Sequence, residues 1–119
     1  MLLAFIIALL AVAVAEFYDA TMTEKGIKKG VSVEAFDWLV GSKPTALALY
    51  LRDWILIAVA TIPLDIALVA HSKPFFYGFL TIPVSLVTRH INGGLQWRTL
   101  LNGGKLNPAP QKWSQKLFT

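Results

Sequence analysis

The chain has 119 residues, a formal net charge of +4 and no cysteine; 55% of its residues are hydrophobic and 15% charged. A soluble domain of this size cannot hide so much apolar surface, so the excess must face lipid or protein, and disulfides, thiol chemistry and cysteine-based zinc sites are excluded. The basic residues flank apolar runs rather than forming an aromatic–basic motif, which argues for a membrane and against a nucleic-acid partner.

The first apolar run covers about residues 2–22, long enough to cross a hydrocarbon core of about 30 Å. It ends in Ala13-Val14-Ala15, a pattern similar to a signal-peptide cleavage site, but lacks the basic n-region. The expectation is an anchor that is retained. Glu16 and Asp19 enter before the apolar run has ended, and Ala4, Ala8, Ala11 and Ala15 form a small-residue stripe that leads to Asp19. Small residues on one stripe let helices approach closely.

After Lys25, Gly26, Lys28, Lys29 and Gly30, a mixed segment containing Glu34, Phe36, Asp37 and Trp38 predicts an interfacial helix over about 31–40, ended by Gly41. Pro44 is expected to open the next helix. The second apolar run is cleanest over about 54–70, with a kink at Pro63 and the acid Asp65. The third covers about 75–91, with a kink at Pro83 and either a tilt or a continuation past Arg89; a re-entrant hairpin is the alternative. Asn92-Gly93-Gly94 and Asn102-Gly103-Gly104 both read as helix stops or turns. The remainder, 95–119, reads as an amphipathic and basic tail.

These elements predict one all-α integral membrane domain over 1–119, with three transmembrane helices and short interfacial helices. Lysine and arginine crowd the first loop and the tail, while the second loop holds only Lys73. The positive-inside rule then places the N-terminus outside and the C-terminus in the cytoplasm, in a bacterial cytoplasmic membrane. Trp38, Trp54, Trp97 and Trp113 are expected as interfacial anchors on the cytoplasmic side.

Charges inside a bilayer are costly unless paired or hydrated. Glu16 and Asp19 are therefore expected to form an ion-pair cluster with Arg52 and Arg89. Asp65, Thr81, Ser85 and Thr88 are expected as a buried polar stripe, Asp65 donating to Thr81 or Ser85 if neutral. His90 is expected at the interface, and His71 falls at the opposite end, so the two cannot share a metal. No H-E-x-x-H, G-x-S-x-G, P-loop or haem-attachment pattern is present. No catalytic or metal site is expected; a cofactor is unknown, and lipid contacts are expected.

Asp19, Thr23, Gly26, Gly30 and Glu34 follow a D-x-x-x-T…G…G…E spacing. It resembles a domain-of-unknown-function family of small bacterial and phage membrane proteins. The family's following N-P is replaced here by Phe36-Asp37. The resemblance implies about three spans and carries no catalytic residue. Small multidrug transporters are similar in length and in having an acid in the first helix, but they have four spans. The leading functional expectation is a non-catalytic structural or accessory subunit of a larger membrane assembly. The alternative is a small oligomeric transporter, channel or holin-like pore using Asp65 or Glu16.

Overall fold

A computed structural model describes residues 1–30, 34, 38–41 and 43–104. The described chain is all-helical: α1 (Leu2–Lys28), α2 (Ala46–Ala60), α3 (Ile62–Val69), α4 (Lys73–Phe79) and α5 (Thr81–Leu101). The predicted interfacial helix at 31–40 falls mostly outside the described residues, and Trp38–Val40 form a turn. Trp113 and most of the tail also lie outside them.

The five helices form three columns. Met1, Ala4 and Phe5, at the start of α1, pack with Leu64, Ala67, Phe76, Phe79 and Leu80. Further along, Asp19 meets His90 and Gly26 faces Trp97. Thus α5 runs parallel to α1 and packs directly against it, while α2 and α3 return antiparallel to α1. At the far end, the Glu24 carboxylate accepts a hydrogen bond from the backbone N–H of Ala46, tying the start of α2 to the end of α1. Thr45, not Pro44, caps α2, its hydroxyl accepting from the N–H of Ala48 at 3.2 Å.

Both prolines mark breaks. The second column bends by 50° between α2 and α3. Pro63 sits in the first turn of α3, where it has no N–H to give and its ring crowds the preceding turn. The Thr61 hydroxyl bonds to the Ile57 carbonyl at 3.0 Å just before the break. The third column breaks between α4 and α5 at Leu80–Thr81, so Pro83 falls in the first turn of α5 rather than mid-helix.

Among the described residues, one helix, α1, is long and apolar enough to cross a membrane, and the bent α2–α3 pair qualifies only when counted as one span. The third run does not qualify by itself. Its aromatic residues lie in α4, and α5 carries Arg89, Asn92, Gln96 and Arg98.

The expected stop at Asn92-Gly93-Gly94 is corrected: α5 runs through it to Leu101. The glycines stay helical because neighbours occupy the space their missing side chains leave. A Cβ on Gly93 would lie 2.7 Å from Asp19 Oδ1, and one on Gly94 would enter the Tyr18 ring. The second triplet does end the helix, with Gly103 at φ 78°, a conformation that glycine adopts readily.

Candidate functional site: a buried polar cluster between three helices

The inward face of α1 carries Val12, Ala15, Glu16, Ala20, Thr23 and Gly26. That face recurs every three or four residues, as a helix packed on two sides requires. The small residues on it admit close neighbours. Gly26 receives the Trp97 ring, while Gly93 and Gly94 on α5 receive Asp19 and Tyr18. Close approach at these levels brings charged side chains of three helices together.

Glu16 is fully buried, and neither carboxylate oxygen has a hydrogen-bond partner among the described residues. Arg52 and Asp53 on α2 are buried as well. Arg52 Nε donates to Asp53 Oδ1 at 2.7 Å. Asp53, Asp19 and Arg52 are all near enough to act on Glu16 through space. One turn on, Asp19 Oδ2 lies 2.9 Å from His90 Nδ1 of α5. The Thr23 hydroxyl donates to the Asp19 carbonyl at 2.7 Å. Among the described residues, the cluster therefore brings together three acids, one permanent cation and one imidazole.

Sequence reasoning placed Glu16, Asp19 and Arg52 in one cluster, and the structure brings all three to the same region. The fourth member is corrected. Arg89 is exposed, and its neighbour His90 takes the place facing Asp19. The helical repeat decides this: Pro83, Val87, His90, Gly94 and Trp97 follow one face of α5 at steps of three and four, and Arg89 is one residue off it. Asp53 turns inward for the same reason, following Leu49 and preceding Ile57 on the buried face of α2.

The expected buried stripe is also corrected. Thr81, Ser85 and Thr88 are exposed and Asp65 is half-buried. Thr81, Ser85 and Thr88 lie two residues out of step with the packed face of α5, about 200° round the helix. Their hydroxyls are satisfied by their own helix. Thr81 donates to the Gly78 carbonyl at 3.0 Å, Ser85 to Thr81 at 2.7 Å and Thr88 to Val84 at 3.0 Å. Asp65 makes no side-chain hydrogen bond to them. A shallow groove of about 300 Å³ runs along Thr81, Ile82, Ser85, Leu86 and Arg89.

The alanine stripe is shifted as well: Ala15 is buried but Ala11 is exposed. Of the expected anchors, Trp38 is exposed. Trp54 is half-buried, its ring 6.0 Å from Tyr50, which lies 6.3 Å from Phe17. Trp97 is held against Gly26 rather than free at a surface. Trp97 and Trp54 therefore sit at different levels along α1.

The residues that sequence reasoning missed are Asp53, His90 and the three interface glycines. A heptad-like reading of α5 through His90 and Gly94 would have found two of them. No family model, no curated protein and no solved structure matches this chain.

Proposed function

We propose that the chain is an integral membrane protein of three helical columns, acting as a non-catalytic structural or accessory subunit of a larger membrane assembly. The observation that carries this reading is the contrast between its outer faces. On α1, Leu2, Leu3, Ile6, Ile7, Leu10, Val14 and Phe17 point outward; on α2–α3, Leu47, Leu51, Ile55, Val59, Ile62, Ile66 and Val69 do the same. The charged residues Glu16, Arg52 and Asp53 lie inside. Water favours the reverse distribution, and lipid favours this one. On the third column, Thr81, Ser85, Thr88 and Arg89 face outward together with Phe75, Tyr77, Val84, Ile91 and Leu95. That polar strip suits another protein subunit better than acyl chains.

The parallel course of α1 and α5 supports the proposed orientation. Lys25, Lys28 and Lys29 at the end of α1, Lys43 before α2, and Arg98 near the end of α5 share one end of the molecule, and Lys73 lies at the other. By the positive-inside rule the lysine-rich end is cytoplasmic and Met1 is outside. Purification from membranes in mild detergent tests the reading. A stoichiometric membrane partner is expected, and a lone monomer that leaves the membrane at alkaline pH would sink it.

A second reading, a small oligomeric transporter or channel, is favoured by one observation: the fully buried Glu16 carboxyl without a hydrogen-bond partner. Ion flux into liposomes containing the chain tests it. Flux that persists in both Glu16→Gln and Asp65→Asn removes these acids from any such mechanism.

A further inference from the structure

The outer side of α5 carries a second regular face. Ile82, Ser85, Arg89, Asn92 and Gln96 recur at steps of three, four, three and four, the spacing that meets a partner helix along one seam. They lie most of the way round α5 from Pro83, His90 and Gly94, which pack inward. Ile82 is half-buried and the other four are exposed. The groove of about 300 Å³ follows the first part of this seam, and Arg89 is the charged residue that lines it.

Arg89 adjoins His90, which meets Asp19 at 2.9 Å, so it stands level with the cluster between the helices. It makes no ion pair among the described residues. A cation at a lipid-facing position is costly without a counter-charge, and the described helices of this chain have none to give at that level. Asp19 is engaged by His90, Asp53 by Arg52, and Glu24 by Lys28 and the Ala46 N–H. Glu16 is fully buried. Asp65 belongs to the opposite end of the bundle, where its neighbour Leu64 packs with the first residues of α1. A second copy meeting this one along the same seam, with both N-termini on one side, would oppose Arg89 to Arg89, and like charges there repel. The counter-charge therefore has to come from another chain.

We propose that the 82–96 face of α5 docks a membrane helix of a different chain, one that presents an aspartate or glutamate carboxylate to Arg89 and small or hydroxyl side chains to Ser85. A guanidinium fork holds a carboxylate through paired N–H bonds, and small side chains at Ser85 let the two backbones approach. The proposal rests on the subunit reading and names the surface and its chemistry.

A photo-crosslinking amino acid placed at Ser85 of the full chain, in the membrane of its own host, tests it, with the exposed Val14 of α1 as the control position. Mass spectrometry then identifies the crosslinked peptide. From position 85 the crosslink is expected on a membrane helix of another chain, with an acid within one turn of the linked residue. Arg89→Glu should lower the yield by about tenfold or more, and Arg89→Lys should lower it less. Replacing the partner's acid by lysine should restore the yield in the Arg89→Glu background. Arg89 is exposed, so both of its variants are expected to keep the helix content of the wild type. A crosslink only to lipid, only to a second copy or to a helix without such an acid overturns the proposal. So does a yield that ignores Arg89→Glu, or a loss that the reversed partner charge does not restore. A partner that copurifies in mild detergent but crosslinks from position 14 and not from 85 overturns this docking face and leaves the subunit reading standing.

Discussion

His90 Nδ1 lies 2.9 Å from Asp19 Oδ2, joining α5 to α1 in the plane where Gly93 lets the two backbones close. The contact is mostly shielded, with the two side chains 11% and 21% exposed. Asp19→Leu should therefore destabilise the bundle by about 1–3 kcal/mol, because it strands a buried imidazole donor. Asp19→Asn keeps an acceptor and should lose less. A double-mutant cycle with His90→Ala, read by denaturation in mild detergent, should give a coupling of about 0.5–3 kcal/mol. Additive losses would mean that the two side chains do not interact.

Glycine positions should divide sharply. Gly26→Ala and Gly94→Ala each drive a methyl into an aromatic ring, of Trp97 and Tyr18 respectively. Overpacking of this kind costs about 1–3 kcal/mol. That exceeds the gain in helix propensity of up to about 1 kcal/mol. Gly78 in α4 has open space where a Cβ would go, so Gly78→Ala should be neutral or stabilising. Thermal unfolding of the three variants side by side checks the order.

Arg52→Met should be among the most damaging single substitutions. It leaves Asp53 buried without its 2.7 Å partner, beside a second acid. Breaking a buried pair by removing one member costs about 3–5 kcal/mol. The paired replacement Arg52→Met with Asp53→Leu should recover part of that loss, since the Asp53 charge is removed together with its partner. Retained stability in the single variant, measured by unfolding, would place the pair in water.

Pro63→Ala should reduce the 50° bend between α2 and α3. The alanine restores a backbone N–H and removes the ring that crowds the preceding turn. Spin labels at positions 47 and 69, both on exposed side chains, should move apart in distance measurements. An unchanged distance would assign the bend to packing of Leu64 and Ala67 instead.

Much of this molecule is written locally in its chain. Alternation of long apolar runs with basic loops determines that it is helical and where α1 lies, because burial and backbone hydrogen bonding act over consecutive residues. Pro63 determines a break in the second column, since a missing N–H and a rigid ring act within one turn. Asn102-Gly103-Gly104 ends α5 for an equally local reason, the positive φ of Gly103. The identical triplet at Asn92-Gly93-Gly94 does not stop the helix, and nothing within the triplet distinguishes the two. Tyr18 and Asp19, more than seventy positions away, fill the space beside it. Rotation of each helix about its axis was likewise decided only in the tertiary structure. One residue of phase turns His90 inward and Arg89 outward, and two residues of phase put Thr81, Ser85 and Thr88 on the surface. Each side chain adds about 100° round a helix. The face that packs is chosen by the close fit of α1 against α5, which the composition of either helix alone does not contain.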